Sequence, residues 1–402
     1  MRERPISPPL LAAVLAGLAM LGPFTIDTYL PSFPAIGRAL SATPAELQQT
    51  LSVYFLTFAV MTLFHGTLSD SFGRRPVILA SLVVYTLASL GCAAAQSIGE
   101  LLAFRVLQGV SAGAGMIVGR AIIRDSFSGH EAQRLMSLVT MIFGLAPAVA
   151  PVVGGWLQSW FGWQAVFLFL AAYGLLLLAI SGASLPETHP PAARQPFALA
   201  PLARTYARLA GNPRLLLLCL AVGLNFAGFF LYIVSAPAFV YNLLGLNERQ
   251  FAWLFLPGIT GVMFGAFLSG RAAGRLSPER TIGIGYAVMF SAAAFNVAYS
   301  ALAGPALPWS VLPVMIYTVG MALAMPSITL LALEIFPANR GATSSLQGFV
   351  HSFLSSVGAG IISPLVSHAD ITLACGMTAL LALGFSAWLG YLHLEARAGS
   401  RA

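Results

Sequence analysis

Twelve stretches of about twenty apolar residues, each long enough to cross a bilayer as a helix, take up most of this chain. They fall at 8–30, 47–69, 77–96, 99–122, 135–158 and 163–185, then at 214–238, 251–272, 281–302, 308–332, 342–365 and 371–393. Backbone amides in lipid find no water to bond, so these stretches are expected to be helices, which satisfy their amides internally. The longest polar segment, 186–213, holds Glu187, Arg194, Arg204, Arg208 and several prolines, and it separates six stretches from six. The expected architecture is an all-α polytopic membrane protein of 12 transmembrane helices: a first half at 1–185, a cytoplasmic linker at 186–213 and a second half at 214–402.

Only 8% of the residues are charged and 58% are hydrophobic, whereas a soluble domain carries about a quarter charged residues. The formal net charge of +7 comes from scattered arginines, with no lysine anywhere, so no phosphate-binding stripe forms and no nucleic-acid partner is expected. Cys92, Cys219 and Cys375 each sit in an apolar run, which reads as small apolar filler and suits neither a disulfide framework nor a metal site. The stretch after Arg2 and Arg4 is too long for a cleaved signal, so a retained first helix is expected.

Arginine sets the orientation, because cytoplasmic loops collect positive charge. With the amino terminus inside, that side gathers Arg2, Arg4, Arg74, Arg75, Arg120, Arg124, Arg134, Arg194, Arg204, Arg208, Arg214, Arg271, Arg275, Arg280, Arg340, Arg397 and Arg401, against Arg38 and Arg249 opposite. Both termini are therefore expected in the cytoplasm. The halves also echo each other: Leu68–Arg75 after the second stretch matches Leu268–Arg275 after the eighth. Repeated halves of this kind place a solute site at their interface near mid-membrane.

Of thirteen acidic residues, only Asp27 falls clearly inside an apolar stretch, where an ionisable group is expensive and is read as functional. Arg105, in the fourth stretch, lies at a comparable depth, so the two are expected to pair. Burial raises a carboxyl pKa and a nearby guanidinium lowers it. Moving Arg105 relative to Asp27 can then load and unload a proton. A static ion pair joining two helices, or simple solvation of Asp27, are the other readings. Asn225, Asn296, Gln108, His65 and His351 read first as polar contacts between helices. Tyr29, Tyr54, Phe58, Gln108, Asn225, Phe226, Phe229 and Tyr232 are candidates for the walls of a solute site, where apolar surfaces with few polar anchors accept varied ligands.

Gly66-Thr67-Leu68-Ser69-Asp70-Ser71-Phe72-Gly73-Arg74-Arg75 resembles the Gly-x-Leu-x-Asp-x-x-Gly-Arg-Arg loop of the major facilitator superfamily. The resemblance implies the major facilitator fold, with Gly66, Asp70, Gly73, Arg74 and Arg75 in a gating latch. Leu102–Gly109 resembles the fourth-span motif that places an Arg in the membrane. Gly144–Gly155 resembles the fifth-span motif of drug:proton antiporters, carried here by Pro147, Pro151, Gly154 and Gly155, although Ala150-Pro151 stands where Gly-Pro is usual. Thr25–Ile36, Gln49–Tyr54 and Arg120–Asp125 are similar to the bicyclomycin-resistance (Bcr/CflA) family. That resemblance implies a bacterial inner-membrane antiporter that exports drug-like small molecules, driven by protons and needing no other cofactor, as a monomer in lipid. Alternatives are an exporter of metabolites such as small peptides or amino acids, or a proton symporter on the same fold. A membrane-embedded enzyme fits least: His130 with Glu131 is the nearest thing to a reactive pair, and no nucleotide-binding glycine loop occurs.

Overall fold

The computed structural model describes residues 8–399, so Arg2, Arg4 and Arg401 of the orientation argument lie outside it. The described residues are mostly helical, without a strand. Twelve helices are long and apolar enough to cross a membrane. Spans 1–6 are Pro9–Ala39, Pro44–Phe72, Arg74–Ala94, Ile98–Ser126, Gly129–Phe161 and Trp163–Ser184. Spans 7–12 are Pro213–Val234, Glu248–Ala272, Pro278–Leu302, Leu312–Ile335, Pro337–Val366 and Asp370–Arg397. The chain divides into two compact units, Met1–Ala198 and Leu199–Ala402, with six spans in each.

Local chemistry fixes where the helices begin. Thr43 and Glu46 form a reciprocal capping box ahead of span 2, with Pro44 as its first residue. Ser97 accepts from the Glu100 amide at 3.2 Å before span 4, and Asn212 from the Leu215 amide at 3.0 Å before span 7. Gly73 joins spans 2 and 3 through a single residue at φ 101°, a region that side chains avoid.

Within each unit, helices approach closely over glycine. A Cβ on Gly154 of span 5 would collide with the Thr28 carbonyl of span 1. Gly109 of span 4 lies against the Tyr54 carbonyl of span 2, and the Thr57 hydroxyl donates back to the Val106 carbonyl at 3.2 Å. The second unit repeats the device: Gly261 lies on the Met315 carbonyl, and Thr318 donates to the Gly258 carbonyl at 2.9 Å. In lipid, such contacts and inter-helix hydrogen bonds replace the hydrophobic drive that assembles soluble bundles.

Two boundaries differ from the sequence reading. Span 1 does not end near residue 30. A helix over Pro8–Asp27 gives way to a tight turn at Leu30–Ser32, and a second helix, Phe33–Ala39, completes the span. Pro31 and Pro34 break the hydrogen-bond ladder, yet each opens a new helical turn, where a missing N–H costs nothing. The polar linker divides between the two units. Its first part is bound to the first unit through Glu187, while Leu199–Ala210 forms an amphipathic helix in the second unit with Leu209 buried.

Candidate functional site

Arg105 in span 4 is fully buried and occupies the centre of a polar cluster in the first unit. Its Nη1 donates to the Thr25 carbonyl at 3.1 Å and to Gln108 Oε1 at 2.9 Å, and its Nε donates to the Thr50 carbonyl at 3.3 Å. The guanidinium lies over the rings of Tyr29, at 4.9 Å, and Tyr54, at 4.6 Å, an arrangement that stabilises a desolvated cation. Gln108 is fixed in turn by donating to Ser89 at 2.8 Å, and the Tyr29 and Thr50 hydroxyls bond at 2.8 Å.

The expected ion pair between Asp27 and Arg105 is not formed in this structure. The break in span 1 supplies the reason. A helix ending at Asp27 leaves the carbonyls of its last turn without intrahelical partners, and Arg105 takes the one from Thr25. A guanidinium at a helix carboxyl end also meets the negative end of the helix dipole. Asp27 itself is only 4% exposed and accepts no hydrogen bond. Arg105 Nη2, the Tyr54 hydroxyl and the Thr28 hydroxyl are buried without partners, the last two on residues flanking the same region. Buried polar atoms are nearly always satisfied, so such a group of orphans marks a place where a proton, a water or a solute is accommodated. Phe58 lies beside Tyr54, with ring centroids 6.1 Å apart.

The loop between spans 2 and 3 is a charge cluster. Arg74 donates to Ser69 Oγ at 2.7 Å, pairs with Asp70, and reaches Asp125 at the end of span 4 at 3.0 Å. Glu187, just past span 6, accepts from the backbone amides of Arg74 at 3.0 Å and Arg75 at 3.3 Å. Those amides open span 3 and have no intrahelical acceptor, so the carboxylate caps the helix from 113 residues away. Arg194 lies 3.6 Å from Glu187, Thr188 donates to Asp125 at 3.2 Å, and Arg75 donates to the Gly182 carbonyl at 2.6 Å. Gly73 belongs to this cluster sterically, since a Cβ there would run into Glu187 and Arg194. Gly66 does not, because the space beside it is open. Sequence reasoning missed Glu187 and the pairing role of Asp125; the signal was the acidic residue of Pro186-Glu187-Thr188 directly after an apolar span.

In span 5, Pro147 and Pro151 lie inside one continuous helix, and Gly154 and Gly155 are buried. In the second unit the proposed wall residues of span 7 separate into two groups. Asn225 donates to the Tyr286 hydroxyl at 3.0 Å and its carbonyl accepts from Tyr317 at 2.8 Å, while Tyr232 accepts from Asn296 at 2.7 Å. These tie helices together. Phe226 instead forms an aromatic cluster with Phe229, Phe230 and His351, whose ring is 4.0 Å from that of Phe226.

The family model of the Major Facilitator Superfamily matches residues 14–359. The chain is 33% identical over 366 residues to an uncharacterized MFS-type transporter, YdgK, of Bacillus subtilis, covering 90% of this chain and 89% of that one. It is 34% identical over 273 residues to a bicyclomycin resistance protein homolog of Haemophilus influenzae, covering 68% and 69%. It is 28% identical to multidrug resistance protein D of Escherichia coli, covering 94% and 95%. Among solved structures, a bacterial homolog of the human lysosomal transporter Spinster, inward-facing and occupied, has the same fold, with a TM-score of 0.73 at 18% identity over 96% of each chain. The human organic anion transporter MFSD10 shares it at a TM-score of 0.68 and 17% identity, over 96% of this chain and 99% of that one. With twelve spans in two units and a family match across most of its length, this chain belongs to the Major Facilitator Superfamily and is a transporter, not an enzyme.

Proposed function

We propose that the protein is a proton-coupled exporter of drug-like small molecules, working by alternating access as a monomer in a bacterial cytoplasmic membrane with both termini inside. The observation that carries this reading is the cluster around Arg105. A buried carboxylate, Asp27, lies close in sequence to a carbonyl held by a buried arginine with an unused nitrogen. When Asp27 is ionised, its charge attracts Arg105 Nη2; when Asp27 takes a proton, that attraction ends and the guanidinium stays with the Thr25 carbonyl. Proton binding is thereby converted into a change of contacts between spans 1 and 4. The names of two relatives, a bicyclomycin resistance protein homolog and a multidrug resistance protein, support antibiotics as the substrate class. The Phe226 and His351 cluster in the second unit and Phe58 with Tyr54 in the first are apolar surfaces suited to such compounds.

The test is antibiotic susceptibility in an efflux-deficient bacterial host that makes native protein or Asp27→Asn at equal levels. Protection by the native protein alone supports the reading. Equal protection by both removes Asp27 from coupling, and no protection by either removes drug export.

A further inference from the structure

We propose that Asp370 is a second proton-binding carboxylate, held in the second unit by the hydroxyl of Ser300. Its position just outside the twelfth apolar stretch hides it in the sequence. In the structure it is the first residue of span 12 and is only 6% exposed. Ser300, near the end of span 9, donates to its Oδ2 at 2.9 Å. Oδ1 has no hydrogen-bond partner. The Ser310 hydroxyl faces the carboxylate without closing a bond to that oxygen, while accepting from the Ala306 amide at 3.1 Å.

The ordinary role for an aspartate in a first helical turn is to meet the dipole and the free amides of its own helix. Asp370 accepts from none of those amides: its one hydrogen bond is to another span. Asp370 forms no ion pair, whereas Arg214 pairs with Glu395 at 3.1 Å, near the opposite ends of spans 7 and 12. The groups facing Asp370 are Tyr232 from span 7, Ser300 from span 9 and Ser310 from the connection after span 9. None is basic. Tyr232 is already engaged by Asn296. Glu248 and Arg249 open span 8 and His368 lies in the turn before span 12, and Arg249 and His368 are exposed to the surroundings.

A carboxylate withdrawn from water keeps its charge only if a cation or several donors offset the lost hydration. One serine and the first-turn amide dipoles offset a part of that penalty. With an unused oxygen and no counter-ion, the group takes a proton when water is excluded and releases it when water reaches it. The proposal goes beyond the exporter reading, because it gives the second unit its own ionisable site and raises the number of protons the chain can carry.

Protonation is measured directly, without substrate, by infrared difference spectroscopy of the purified protein in phosphatidylcholine vesicles as the pH is stepped. The readout is the C=O stretch of protonated carboxyl groups. Asp370→Asn is expected to remove one component of the native difference spectrum and Asp27→Asn another, with both missing from the double variant. Ser300→Ala is expected to shift the Asp370 component, because that oxygen loses its donor; a residue that merely braces the loop leaves the band unmoved. A spectrum of Asp370→Asn superimposable on the native one overturns the proposal. Should Asp370→Asn fail to fold, as read from its melting curve, an unshifted band in Ser300→Ala overturns it instead. A chain that exports nothing can still show the band, so this result is separable from the fate of the exporter reading.

Discussion

Replacing Glu187 by Gln tests whether a linker carboxylate caps span 3. In the native protein, two amides with no intrahelical acceptor donate to Glu187, at 3.0 and 3.3 Å. Glutamine keeps the size and one acceptor oxygen but loses the charge. Hydrogen bonds to charged groups contribute about 1.5–3 kcal/mol net, against about 0.5–1.5 for neutral ones. Two bonds therefore weaken by about 2 kcal/mol in total, and the lost attraction to the helix dipole adds about 0.5 kcal/mol. The Glu187 side chain is 20% exposed and so partly screened, which returns the figure to about 2 kcal/mol, or roughly 30-fold in an opening equilibrium. Hydrogen–deuterium exchange followed by mass spectrometry reads this directly, because first-turn amides exchange quickly unless something outside the helix holds them. The peptide covering Arg74 and Arg75 is expected to exchange about 30-fold faster in Glu187→Gln and faster still in Glu187→Ala. Peptides from the second unit are expected to be unchanged. Native-like exchange at Arg74 and Arg75 in both variants would refute the reasoning, since the amides would then be protected by something other than this carboxylate.

Glycine substitutions should separate by location: Gly154→Val, driven into the Thr28 carbonyl, is expected to destabilise by about 1–3 kcal/mol, while Gly66→Ala, with open space around it, should gain about 0.5–1 kcal/mol. Melting of the purified variants checks this, and the opposite order would contradict the packing described for spans 1 and 5. Arg105→Lys keeps the charge but loses the planar fork that reaches two carbonyls and Gln108; like Arg105→Ala, it is expected to abolish drug protection at native expression levels, and survival of protection would count against the fork geometry. Tyr232→Phe removes the acceptor of Asn296 and should cost about 0.5–1.5 kcal/mol of thermal stability without changing the range of exported compounds. A changed range would move Tyr232 from the helix contacts to the solute site.

The spans were legible because hydrocarbon thickness and backbone satisfaction leave a sequence few options, and an apolar run of the right length is enough to place a helix. What escaped was set by contacts that no local pattern encodes. Pro31 and Pro34 read as a stop, yet they start new turns inside span 1. Arg105 was assigned to Asp27 on depth; depth brought it to the right level, but a helix break two residues after Thr25 offered a carbonyl that sequence could not reveal as unpaired. Asp370 sits on a boundary, where one residue decides between loop and span. Glu187 was placed in a polar linker, and its partners lie 112 and 113 residues away. The glycine-rich loop and the fifth-span prolines were visible as motifs, but only the coordinates separate Gly73, which fits against Glu187 and Arg194, from Gly66, which touches nothing.

The break in the first span has a mechanical consequence. A continuous helix is a stiff rod that transmits a push from one end to the other, whereas two rods joined at Asp27–Leu30 bend at the joint unless something splints it. Arg105 is that splint, since it grips the last turn of the first rod while resting on Tyr29 inside the joint. Any event that draws the guanidinium away loosens the joint, and its return stiffens it. In the proposed cycle the elastic behaviour of span 1 is thus set by the charge on its own hinge, so the same segment is pliant in one protonation state and rigid in the other.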